Sequence, residues 1–67
     1  MRVQMVKLDT PLLHSIISAA KILGIGRSSL YALIAERKVH PVKIGRRTLI
    51  PQHELERFVA ELTTEPQ

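Results

Sequence analysis

The sequence contains no cysteine, so neither a disulfide nor a thiolate zinc site can staple the fold. Its three histidines, His14, His40 and His53, are scattered without the spacing of a ligand set, and no metal site is expected. No apolar run approaches the roughly twenty residues that a membrane span requires, and the N-terminus has no signal-peptide core, so a cytoplasmic protein is expected. A glycine-rich phosphate loop, a cysteine nucleophile and a carboxylate cluster are all missing, and 67 residues leave little volume for a substrate pocket. No enzyme activity, cofactor or small-molecule substrate is expected. Acidic residues are also scarce: six stand against ten Lys and Arg, for a net charge of +4 and a sequence pI of about 10.1. A small basic domain points to an anionic partner.

What is present is an ordinary apolar fraction of 45%, enough to argue against disorder, in a chain near the lower limit at which one core supports a fold. The positive charge is not spread evenly. Between Arg27 and Arg47 lie Arg27, Arg37, Lys38, Lys43, Arg46 and Arg47 against Glu36 alone, a balance of +5, and the remainder of the chain carries −1.

The chain is organised around Ala19–Ile34, AAKILGIGRSSLYALI. Ala19, Ala20 and Leu23 give one face of a first helix that starts at the N-cap Ser15 and runs to about Leu23. Ser18 stands where a capping box would want Glu or Gln, so that cap is incomplete. Gly24 stops the helix in the left-handed conformation, Ile25 plugs the corner, and Gly26 caps a second helix from about Arg27 to Arg37. There Leu30, Leu33 and Ile34 share the buried stripe. Ser28, Ala32 and Ala35 face outward with Tyr31 on their flank, a small, smooth surface that can approach a groove closely but discriminates bases weakly, Arg27 being the exception. Two short helices about a glycine turn form a helix-turn-helix, whose second helix can lie in a DNA major groove.

Beyond Pro41 the pattern becomes extended. Val42-Lys43-Ile44 and Thr48-Leu49-Ile50 flank Gly45-Arg46-Arg47, which reads as a hairpin with two exposed arginines at its tip, a wing. Pro51 suits the first turn of a third helix. Leu55, Phe58, Val59 and Leu62 form its core stripe, its outer edge available for a dimer contact, with Glu54, Glu56, Arg57 and Glu61 on the wet side. Leu12 and Leu13 are expected to pack on the core ahead of the first helix. Residues 1–11 read as an arm or short edge strand, 12–62 as the domain, and 63–67 as a frayed tail. The fold class is mainly α with a small β-hairpin, in the order α-α-β-β-α.

The run from Leu12 to Leu62 resembles the excisionase-type DNA-binding domains, small winged-helix relatives of the MerR regulators. The residues that carry the likeness are Ala19-Ala20, Leu23-Gly24-Ile25, Leu30-Tyr31, Leu33-Ile34, Val42 to Arg47, Ile50-Pro51 and Glu54-Leu55. The resemblance implies that the helix from Arg27 enters the major groove and that the 42–50 wing reaches the adjacent minor groove. It also implies a bacterial or phage source, and a role in bending DNA for site-specific recombination or in regulating transcription. Three positions depart from the family pattern: Gly26 replaces a serine, Ser18 an acidic residue, and Arg37 the glycine that often ends the second helix.

These readings together assign DNA contact to Arg27, Ser28, Ser29, Tyr31, Ala32, Lys38, Lys43, Arg46, Arg47 and Thr48. The expected partners are double-stranded DNA, at the nucleoid, with a site-specific recombinase or further copies of the chain on tandem sites. The competing reading is a protein-interaction adaptor that docks a recombinase or polymerase through helix 51–62 or the N-terminal arm.

Overall fold

Two reversals of the chain rest on glycines in the left-handed region, Gly24 at φ 77° and Gly45 at φ 60°, in a computed structural model that describes residues 11–64. Helix α1, Ile16–Leu23, begins at Ser15, whose Oγ accepts the Ser18 N–H at 3.1 Å; no acidic residue stands in its first turn. It ends in a two-bond closure: Gly24 N–H donates to Lys21 C=O at 3.1 Å and Ile25 N–H to Ala20 C=O at 3.0 Å. Helix α2, Arg27–Ala35, starts from Gly26 without any side-chain cap and bends away from α1 by 99°. That angle lies within the roughly 90–120° of a helix-turn-helix.

The second helix stops two residues earlier than its pattern suggested, with Glu36 as its cap. Arg37 then takes φ 64°, the one non-glycine residue with positive φ among those described. Arg37 N–H donates to Ile34 C=O and Lys38 N–H to Leu33 C=O, both at 2.9 Å, so α2 ends in the same closure as α1 with arginine doing the work of glycine.

Strands β2, Val42–Ile44, and β3, Arg47–Pro51, are antiparallel, with Ile44 opposite Arg47. The loop is therefore the two residues Gly45-Arg46, and Arg47 belongs to the strand. Positive φ at Gly45 but not at Arg46 makes it a type II′ turn, whose twist matches the strands it joins.

A further strand, absent from the sequence-based order, precedes α1. Strand β1, Leu13–Ser15, pairs antiparallel with β3, giving the sheet order β1-β3-β2 and the element order β-α-α-β-β-α. Leu12, just ahead of that strand, is 62% exposed, its C=O accepting from the Gln52 N–H at 2.8 Å, and Leu13 is only half-buried; neither joins the core as the sequence suggested. His14 is buried, with its Nε2–H donating to Gln52 Oε1 at 2.6 Å.

Helix α3, Gln52–Thr63, is capped by Pro51, which ends β3 and does not enter the first turn. Thr63 is the last helical residue, and its hydroxyl donates to Val59 C=O at 3.0 Å. The core comprises Ile16, Ala19, Ala20, Leu30, Val39, Ile50, Leu55 and Phe58. Of the expected α3 stripe, Leu55 and Phe58 are in it, whereas Val59 is 43% and Leu62 62% exposed. Glu54, expected on the wet side, is only 8% exposed. No single helix among the described residues is long and apolar enough to cross a membrane. The expected arm at 1–11 lies outside the described residues but for Pro11, as does the tail beyond Thr64.

Candidate nucleic-acid interface

Leu30 anchors α2 in the core, and Leu33 and Ile34 are half-buried beside it. The rotation that buries these three turns Arg27, Ser28, Ser29, Tyr31 and Ala32 outward, and all five are exposed. Because Gly26 supplies no capping side chain, the backbone N–H groups of the first turn are left to solvent or a ligand. An arginine there is mildly disfavoured by the helix dipole, so Arg27 gains nothing locally from its position.

The wing places its polar side chains on two faces. Strand alternation and the pairing of Lys43 with Thr48 put both on the face that Ile50 and His14 share, the core side of the sheet. Arg47 projects from the opposite face with Val42, Ile44 and Leu49. Arg46 sits in the turn between them. Lys43, Arg46 and Arg47 are exposed, and Thr48 is half-buried. The two arginines are thus adjacent in sequence but not equivalent: one caps the tip and the other lines a flank whose neighbour, Ile44, is 56% exposed.

Among the described residues, Arg27, Lys43, Arg46 and Arg47 form no ion pair. Lys38 has only a loose exposed pair with Glu36 at 3.6 Å. The paired cation is Arg57, on α3. Its Nε and one terminal nitrogen hold the Glu54 carboxylate in a fork, at 3.1 and 2.8 Å, and its other terminal nitrogen reaches Glu61 at 2.8 Å. The Glu54 carboxylate also accepts the His40 N–H at 2.8 Å and the His40 Nδ1–H at 3.1 Å. These hydrogen bonds, that from Arg57 foremost, outweigh the opposing effect of burial and lower the Glu54 pKa to about 2. Glu54 in turn raises that of Arg57. This network was not anticipated; its traces in the sequence are the Glu54–Arg57 and Arg57–Glu61 spacings of three and four on a helix.

Residues 15–63 match the family described as a helix-turn-helix domain. A probable excisionase from Saccharopolyspora erythraea is 38% identical over 56 residues, an alignment covering 84% of this chain and 57% of that protein. The chain thus spans little more than half the length of that relative. No solved structure matches it.

Proposed function

This chain belongs to the excisionase-type helix-turn-helix DNA-binding family, and from that premise we propose that α2 enters the major groove of double-stranded DNA while the 42–50 wing reaches the adjacent minor groove. The observation that carries the reading is the disposition of the unpaired charge. Arg27, Arg37, Lys43, Arg46 and Arg47 all lie in or between those two elements, exposed and free of carboxylate partners among the described residues. In that pose Arg27 meets a base edge or phosphate, and the Ser28 and Ser29 hydroxyls and the first-turn N–H groups take phosphate oxygens. Tyr31 flanks the contact, and Ala32 is small enough to lie against a thymine methyl. Lys38, Lys43 and Thr48 serve the backbone, and Arg46 and Arg47 serve the minor groove.

One such domain spans at most a half-site, so selectivity requires several copies on tandem sites or a DNA-bound recombinase alongside. The role is that of a recombination directionality factor or a small transcriptional regulator. The test is the salt dependence of duplex binding. Each phosphate contact contributes about −0.9 to the slope of log K against log salt, so Arg46→Ala and Arg47→Ala should each flatten it by close to one unit. Slopes equal to the parent's in both variants would take the wing off the DNA.

The adaptor reading has one observation in its favour, the exposed Ile22 and Val59 along a groove of about 420 Å³ between α1 and α3. It requires that Val59→Asp weaken binding to a recombinase while duplex affinity is unchanged.

A further inference from the structure

A grip made by two separate elements depends on their offset, because a contacting group displaced by about 1 Å loses its hydrogen bonds. In this fold α2 and the wing are joined by Arg37–Pro41, a connection that is exposed apart from Val39 and the half-buried Pro41. The connection is nevertheless held at three successive residues. Lys38 C=O accepts from an Arg57 terminal nitrogen at 2.9 Å. Val39 is fully buried in the core. His40 N–H donates to Glu54 Oε1 at 2.8 Å. Pro41 follows, with φ fixed by its ring, and β2 begins at the next residue.

The groups that do the holding both come from α3 and lock each other. Arg57 grips Glu54 through two nitrogens while reaching Lys38, and its remaining terminal nitrogen is tethered by Glu61. No side-chain nitrogen of Arg57 is left without a partner. The pairing of β1 with β3 fixes the other side of the sheet to the start of α1, but it does not touch the C-terminal end of α2. The clamp therefore supplies what the sheet does not: it ties the end of the groove-facing helix to the start of the wing.

We propose that Glu54, with Arg57 as its partner, is a positioning residue for DNA recognition, locking the Arg37–Pro41 connection so that α2 and the wing present their cations at one fixed offset. The proposal rests on the DNA-binding pose above and adds to it a residue that does not touch DNA. It makes an unusual demand on sign. Removing the Glu54 carboxylate raises the net charge of an already basic protein, which by electrostatics alone strengthens attraction to any duplex. If Glu54 sets the offset, its loss must instead weaken binding to a preferred duplex.

The test uses the full chain and two probes: a duplex enriched by the parent protein from a random-sequence pool, and a scrambled duplex of equal length. Affinities are measured below the melting temperature of each variant, with folding checked by circular dichroism. Glu54→Ala should bind the enriched duplex about tenfold more weakly, a shift of ~1.4 kcal/mol, and the scrambled duplex no less tightly than the parent. Adding Arg46→Ala and Arg47→Ala should then lose less affinity than in the parent background, because the wing is already out of place. Glu54→Gln, which keeps the volume and an acceptor oxygen, carries the same comparison should the alanine variant not fold. Affinity for the enriched duplex equal to or above the parent's, or wing substitutions of undiminished effect, would overturn the proposal. A parent protein that enriches no duplex would remove the DNA-binding reading itself, and this inference with it.

Discussion

Arg37 holds a left-handed backbone at φ 64°, a conformation that costs an L-residue about 1–2 kcal/mol and glycine almost nothing. It is exposed and makes no ion pair among the described residues, so neither packing nor pairing returns that cost. Arg37→Gly should stabilise the fold by about 0.5–1 kcal/mol after allowing for the greater freedom of glycine in the unfolded chain. In a domain of this size that is a rise of several degrees in melting temperature, followed by circular dichroism. If Arg37 belongs to the basic surface, the same variant should bind duplex less tightly, a gain in stability set against a loss in affinity. A melting temperature at or below the parent's would mean that the arginine side chain contributes to folding after all. Glu54 is the second residue whose state is set by its neighbours. Its pKa falls from 4.5 to about 2, chiefly through the Arg57 hydrogen bond, so the folded state holds the carboxylate ionised more firmly than the unfolded state does. A depressed carboxylate contributes stability that is complete above about pH 4.5 and lost as pH falls toward 2. Denaturant titrations across that window should therefore show the parent losing stability more steeply than Glu54→Gln. Parallel curves would place the acid sensitivity elsewhere.

At the scale of elements, the wing depends on one backbone conformation. Gly45 at φ 60° begins a two-residue type II′ turn, and a Cβ built there meets nothing within 4 Å. Any penalty for Gly45→Ala is then conformational rather than steric, at about 1–2 kcal/mol. It should appear as a lower melting temperature together with a flatter salt slope for duplex binding, as the hairpin opens and its arginines lose their geometry. A variant that melts as the parent does would show that the turn can relax at no cost. How far each element was legible in the sequence follows from where its stabilising partners lie. The Ser15 cap, the Gly24 stop, the Leu30 stripe and the two-stranded wing are decided by residues a few positions apart, and each was readable. Strand β1 was not, because Leu13-His14-Ser15 is too short to show alternation and its partner strand lies far along the chain. Glu54 looked wet because carboxylates usually are; only the folded chain brings the His40 N–H and the Arg57 fork to it. The α3 stripe was read as core with an outer edge open to a dimer contact, and Val59 and Leu62 carry the pattern past the last residue the core covers. Arg37 was readable as a missing glycine, and the structure supplies the positive φ that the missing residue implied.

At the scale of the whole molecule, what matters is how charge is divided. Glu36 and Glu56 carry the same charge and are both exposed, but Glu36 lies beside Lys38 within the basic stretch and Glu56 lies on α3. Replacing either by glutamine adds one unit to the net charge of +4. The Debye length separates local from distant effects: it is about 30 Å at 0.01 M salt and about 8 Å at 0.15 M. At low salt the field of the whole molecule reaches the duplex, so Glu36→Gln and Glu56→Gln should both speed association. At physiological salt only a charge close to the phosphates still acts. Glu36→Gln should then keep its advantage in affinity, severalfold at most for one exposed charge, while Glu56→Gln returns to the parent's value. Measuring association rates and affinities for both variants at the two salt concentrations thus asks which side of the molecule the duplex occupies, without assuming any individual contact. If Glu56→Gln retained its effect at 0.15 M and Glu36→Gln lost it, the duplex would lie against α3, and the assignment of α2 and the wing to the grooves would fall with that result.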